Sequence, residues 1–63
     1  MIINGKEHMY DEMSITHLLN ELEIKEKMIV VEINNRIIEQ KLYDEQMLKK
    51  DDKIEIVSFV GGG

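Results

Sequence analysis

The sequence predicts an α+β domain in which one helix packs on a mixed β-sheet, with the element order β-β-α-β-β-β. The chain has 63 residues, which is enough for one domain and excludes a two-domain enzyme with its own cleft. It is 43% apolar, and Ile and Val, which favour strands, make up half of the apolar residues. Only residues 15–22 show a clear helical period.

The first two strands form a predicted hairpin. Ile2-Ile3 is followed by Asn4-Gly5, and these two turn residues readily adopt the positive φ values of a type I′ turn. The mixed run Lys6 to Tyr10 predicts the returning strand.

The helix is predicted from one apolar stripe. Ile15, Leu18, Leu19 and Leu22 recur at i, i+3, i+4 and i+7, a spacing that places them on one helical face. Ser14 precedes the stripe and is the expected N-cap.

A second hairpin is predicted after the helix. Met28 to Ile33 is almost continuously apolar, which predicts a strand inside the sheet with both faces covered by protein. Asn34-Asn35 supplies a turn, and Arg36 to Ile38 forms the next short strand.

The last strand follows a polar stretch. Residues 39–50 are predicted to be irregular, with one helical turn that starts near Asp44. Asp51-Asp52 forms a turn, and Ile54 to Val60 is the final strand. Because a crossover helix packs its apolar stripe back onto the sheet, this order predicts the ubiquitin-like β-grasp fold, with one domain over residues 1–60 and a flexible glycine tail at 61–63.

Charge and composition exclude several classes of function. The net charge is −5 and there is no cysteine, so disulfides, thiolate zinc sites and cysteine nucleophiles are excluded. The basic residues are scattered, and we expect no nucleic-acid partner. No apolar run approaches the length of a membrane span, so we expect no membrane partner and a cytoplasmic location.

The polar side chains form no evident catalytic or metal site. His8 and His17 lie on different predicted elements and are expected to be surface residues rather than metal ligands. Ser14 is explained as a cap and Ser58 lies in a strand, without a neighbouring base for either. We therefore predict no catalytic side chain and no metal site.

The glycines at positions 61–63 are the most informative feature. The carboxylate of Gly63 would be ionised at neutral pH and a poor electrophile, whereas a mixed anhydride, for example with AMP, would make its carbon open to attack. Gly61 and Gly62 have no Cβ and can thread a narrow channel in another protein. The alternative is a designed linker or a truncated boundary.

The final strand also predicts a docking patch. Ile54, Ile56 and Ser58 share one face, whereas Glu55, Val57 and Phe59 share the other. We expect Val57 and Phe59, with Val60 leading into the tail, to contact partner enzymes. The alternative is that Phe59 covers the edge of the sheet.

Residues 48–63, which end in Ile54-Glu55-Ile56-Val57-Ser58-Phe59-Val60-Gly61-Gly62-Gly63, resemble the C-terminal signature of the ThiS family, the thiamine-biosynthesis sulfur carrier proteins. Residues 31–38 resemble the central hairpin of that family, and Leu18-Leu19 with Leu22 resemble its helix. The chain departs from the family pattern at two turns, where Asn34-Asn35 replaces Asn-Gly and Asp52 replaces Gly.

The resemblance implies a mechanism in which partners do the chemistry. An ATP-dependent adenylyltransferase related to ubiquitin-activating enzymes would adenylate the carboxylate of Gly63. Sulfur, supplied through a cysteine desulfurase or another donor, would then replace AMP to give a thiocarboxylate for thiazole synthase. The carrier would bind no cofactor stably, and ATP with Mg would be used by the adenylyltransferase.

Two other functions remain open. The small subunit of molybdopterin synthase uses the same terminal Gly-Gly, although it is usually longer and tends to have Pro near the tail. The chain could also be a ubiquitin-like protein modifier, or a β-grasp interaction module with an inert tail.

Overall fold

The computed structural model describes residues 1–25 and 27–59. The helices and strands in chain order are β1 (Ile2–Ile3), β2 (Lys6–Glu7), β3 (Met13–Ser14), α1 (Ile15–Glu21), β4 (Ile29–Ile33), β5 (Arg36–Ile38), a 3₁₀ helix (Gln40–Leu42), β6 (Met47–Leu48) and β7 (Lys53–Ser58). The predicted glycine tail lies outside the described residues, and the division into domain and tail stays a prediction.

Five of the strands form one mixed sheet in the order β2-β1-β7-β4-β5. β7 lies in the centre, parallel to β1 and antiparallel to β4. The two hairpins, β1-β2 and β4-β5, are antiparallel. With α1 between them in the chain, this is the ubiquitin-like β-grasp arrangement, and the predicted α+β fold is confirmed.

Both hairpin turns have the backbone that their sequences predict. Asn4 and Gly5 have φ values of 50° and 80°, and Asn34 and Asn35 have values of 50° and 69°. Asparagine tolerates this left-handed region better than most residues, so Asn34-Asn35 turns the chain without glycine. The prediction that the second strand continues to Tyr10 is wrong, because β2 ends at Glu7 and the hydrogen bonds of the hairpin end at His8, which pairs with Met1 at the start of the chain.

The helix begins and buries its stripe as predicted. The Ser14 hydroxyl accepts a hydrogen bond of 3.1 Å from the backbone N–H of His17. Ile15 and Leu18 are fully buried, and Leu19 and Leu22 pack half-buried against the core.

Residues 39–50 are more ordered than the sequence predicts. The helical segment starts earlier than predicted, as a 3₁₀ helix at Gln40–Leu42, and a hydrogen-bonded turn follows it at residues 43–45. β6 pairs with β3 in a second, two-stranded sheet. The carbonyls of Tyr43 and Gln46 accept hydrogen bonds from the N–H groups of Thr16 and Ile15, at 3.1 Å each. This segment therefore satisfies donors that the first turn of α1 leaves free.

The core lies between α1 and one face of the sheet. Its buried residues come from nearly every element: Met1, Ile3, Ile15, Leu18, Val31, Ile33, Tyr43, Leu48, Ile54 and Ile56. The other face is exposed to solvent, and we call it the open face. The expectation that β4 is covered on both faces is therefore wrong, since Val31 and Ile33 are buried but Val30 and Glu32 are only half-buried.

Candidate functional site

The candidate site lies on β7, the strand that leads to the glycine segment. Ile54 and Ile56 are 0% and 9% exposed and point into the core, whereas Val57 and Phe59 are 48% and 57% exposed on the open face. Glu55 is exposed beside them. The predicted alternation of β7 is confirmed. That Val57 and Phe59 contact a partner stays a prediction.

The backbone holds the end of β7 firmly against β4. Val57 lies opposite Val30, and the N–H of Phe59 donates a hydrogen bond of 2.8 Å to the carbonyl of Met28. Phe59 therefore continues the ladder one residue beyond the strand. The exposed side chains are presented by a central strand and not by a loop.

On its other side, β7 is longer than its neighbour. β1 pairs only with Lys53 and Ile54, which leaves the later residues of β7 without a strand partner there. The side-chain oxygen of Asn4 accepts a hydrogen bond of 2.7 Å from the N–H of Ile56. An asparagine from the first turn thus replaces the missing strand.

The start of β7 is also fixed by side chains. Asn34 Oδ1 accepts a hydrogen bond of 3.0 Å from the N–H of Lys53, and Asn34 Nδ2 donates one of 3.0 Å to Asp52 Oδ1. Asp52 Oδ2 accepts a further bond of 2.8 Å from the N–H of Lys49. Asp52, which stands where the family pattern has glycine, therefore forms side-chain contacts that glycine could not, and its partner Asn34 is the turn asparagine that the family pattern also has.

Sequence reasoning missed three residues that share the open face with Val57. Val30 lies opposite Val57, and Glu32 lies between Glu55 on β7 and Ile37 on β5. Ile37 is 71% exposed. Glu32 could have identified this face from the sequence, because a charged residue inside an apolar run indicates which side of the strand meets solvent.

The two histidines lie apart on the surface. His8 stacks on Tyr10 with ring centroids 5.3 Å apart, and His17 Nε2 lies 3.5 Å from Glu21 Oε1 on the exposed side of α1. Within residues 1–25 and 27–59, no group of three or more His, Asp or Glu side chains could hold a metal ion. No helix in the described part of the chain is long and apolar enough to cross a membrane.

One titratable group in the core is perturbed. Tyr43 is only 6% exposed, and its burial raises the pKa of its hydroxyl above the usual 10.0, against a smaller lowering by the Val31 backbone. Tyr43 lies in the core and not on the open face, so we assign it a structural role.

The predicted sulfur-bearing and threading residues, Gly63, Gly62 and Gly61, and the predicted contact residue Val60 lie outside the described residues. The structure describes the strand that precedes these residues, β7. β7 presents Val57 and Phe59 on the open face immediately before these four positions.

Known proteins resemble this chain over its whole length. The ThiS family matches residues 1–63. The sulfur carrier protein ThiS of Bacillus subtilis (strain 168) is 41% identical over 63 residues, which cover 97% of this chain and 96% of that protein. The crystal structure of thiamine biosynthesis protein ThiS from Geobacter metallireducens superposes with a TM-score of 0.79 at 29% identity, over 98% of this chain and 96% of that one.

A thiazole synthase of Paramagnetospirillum magneticum (strain ATCC 700264 / AMB-1) is also similar. It is 36% identical over 64 residues, which include all of this chain but only 20% of that longer protein. The resemblance noted from the tail and the central hairpin is therefore confirmed by matches that extend from the first residue to the last. On this evidence the chain belongs to the ThiS family, the sulfur carrier proteins of thiamine biosynthesis.

Proposed function

We propose that this chain carries sulfur as a thiocarboxylate on Gly63 for synthesis of the thiamine thiazole. The observation that carries the proposal is the family match over residues 1–63, which includes the three glycines. In this function the chain is a protein substrate of its partners and not an enzyme. Its folded part needs only to be recognised and to present the glycine segment.

The proposed reaction has two steps. The Gly63 carboxylate attacks the α-phosphate of ATP in the adenylyltransferase, and the acyl-adenylate forms as pyrophosphate leaves. A sulfur nucleophile, supplied through a cysteine desulfurase or another donor, then attacks the acyl carbon and AMP leaves. If the nucleophile is a persulfide on the donor, the product is an acyl disulfide; a thiol then attacks the donor sulfur, forms a disulfide with it and releases the terminal group as a thiocarboxylate. If the nucleophile is sulfide, the thiocarboxylate forms directly. ATP and Mg belong to the partner.

The third partner is the acceptor of the sulfur, thiazole synthase. A protein of that name in Paramagnetospirillum magneticum contains a region similar to this whole chain, which supports a functional connection between the two. Val57, Phe59 and Val60 are the residues that we expect to contact the partners, since the first two are exposed on the strand that leads to the tail.

Intact-mass analysis tests this function. We expect incubation with the matching adenylyltransferase, ATP, Mg and a sulfur donor to increase the mass by the exchange of one oxygen atom for sulfur. Deletion of Gly63 should abolish this change, while the midpoint of thermal unfolding should stay the same if the tail lacks packing contacts. An unchanged mass with active partners would refute the proposal, and conjugates on lysine would support a protein modifier.

A second measurement separates the thiazole branch from the molybdopterin branch. The thiocarboxylated chain is offered separately to thiazole synthase and to the large subunit of molybdopterin synthase. We expect sulfur to be lost only to thiazole synthase. Transfer to the molybdopterin enzyme alone would assign the chain to the other branch.

A further inference from the structure

The open face has a charge pattern that its own fold does not explain. Glu32 on β4 and Glu55 on β7 lie directly opposite each other in the sheet. Side chains opposite each other in antiparallel strands have Cβ atoms about 4.5–5.5 Å apart, and like charges at this position repel. In residues 1–25 and 27–59, neither carboxylate forms an ion pair or a side-chain hydrogen bond. Their juxtaposition therefore opposes folding rather than favouring it.

Apolar side chains flank this carboxylate pair. Val30 and Val57 form the next opposed pair towards the glycine segment, and Ile37 lies opposite Glu32 on β5. Val57 and Ile37 are 48% and 71% exposed. The only basic residue of β7 is Lys53, two positions before Glu55, and it makes no ion pair with Glu55 within the described residues.

We propose that the open face docks a partner protein that inserts an arginine between Glu32 and Glu55 and covers Val30, Ile37 and Val57 with apolar side chains. A guanidinium is planar, is more weakly hydrated than an ammonium, and has enough donors to bond two carboxylates. It therefore suits an interface where the surrounding contacts are apolar. This inference rests on the proposed function, since the partner would be the adenylyltransferase that receives the tail.

The same charges argue against a second copy as the occupant. If two open faces stacked on each other, the layer between them would contain four carboxylates with little water to screen them. The net charge of −5 adds to this repulsion. The carboxylate pair thus selects a basic partner and disfavours self-association through an apolar face.

The test compares two double variants with the same change in net charge. E32Q/E55Q removes the carboxylate pair, and E12Q/E45Q removes two exposed carboxylates elsewhere on the chain. The dissociation constant for the purified adenylyltransferase is measured at low and high salt. We expect the dissociation constant of E32Q/E55Q to be larger than that of E12Q/E45Q by a factor of about ten or more, and to depend less on salt. E32Q/E55Q should nevertheless unfold at a higher temperature than the wild type.

Two results would overturn the inference. One is equal affinity of the two double variants; the other is a wild-type chain that dimerises through this face in sedimentation experiments. Either can occur while the wild-type chain still gains sulfur, so the inference can fail without the proposed function. A wild-type chain that binds the enzyme but never gains sulfur would refute the function alone.

Discussion

Asn4 accepts a hydrogen bond of 2.7 Å from the backbone N–H of Ile56, across 52 positions of the chain. The bond connects the first turn to the strand that leads to the glycines. It also satisfies a half-buried backbone donor where β1 has already ended. An unsatisfied donor at this site would cost stability, because it would lie partly out of reach of water.

We expect Asn4→Gly to lower the free energy of unfolding by about 1 kcal/mol. Glycine keeps the positive φ of the turn, so the variant isolates the loss of the side-chain bond. Urea denaturation measures the effect. The matched control is Asn35→Gly, which changes an asparagine of φ 69° and should leave stability equal or slightly higher. Equal losses in both variants would contradict the role of the bond.

Ser14→Ala should destabilise the domain by about 1 kcal/mol, because the N-cap hydroxyl bonds the N–H of His17. The effect is measured by urea denaturation, with Ser58→Ala as control. Ser58 is exposed at the end of β7, so its loss should change stability by less than about 0.5 kcal/mol. If the two variants were equally stable, α1 would not depend on its cap.

Phe59→Asp tests the docking patch. Phe59 is 57% exposed, so we expect a change in stability below about 1 kcal/mol and an unchanged circular dichroism spectrum. Binding to the adenylyltransferase should weaken, because a charge replaces an apolar contact. Loss of the fold together with binding would mean that Phe59 is a structural residue, and unchanged binding would remove it from the patch.

Stability should fall at alkaline pH because of Tyr43. Burial raises the pKa of its hydroxyl in the folded chain above 10.0, so the unfolded chain releases this proton at a lower pH. Tyr43 therefore causes no loss of stability below pH 10.0, and a growing loss as the pH rises from there through the folded-state pKa.

Tyr43→Phe provides the comparison for this pH dependence. The variant keeps the ring in the core and removes the ionisable group. Unfolding by urea is followed at neutral pH and at several values above 10.0. We expect the wild type to lose more stability than the variant over this range. Parallel curves would show that Tyr43 does not contribute.

Local patterns in the sequence predicted most of the fold. Each of the two turns and the helical stripe depends on neighbouring residues, and these predictions match the structure. The β3–β6 pair was missed because Met13–Ser14 and Met47–Leu48 contain only two residues each, too few for a periodic signal. Their pairing depends on the burial of Leu48 and on contacts with α1, which are tertiary.

The candidate site was predicted on one strand only. Alternation along β7 identifies Val57 and Phe59, because it needs no knowledge of the neighbouring strand. The opposition of Glu32 and Glu55 depends on the register of β4 against β7, and a single sequence does not determine that register. The cross-strand neighbour of a surface residue can be identified only when the strand pairing and its register are known.

The central position of β7 has a consequence for how the chain is made. The ribosome produces β1, β2, β4 and β5 first, but the two hairpins share no neighbour until β7 lies between them. The sheet therefore closes late, through contacts between residues far apart in sequence, which form slowly. A nascent chain without this strand cannot assemble the surface around Val57, so the same event completes the fold and creates the form that a partner can recognise.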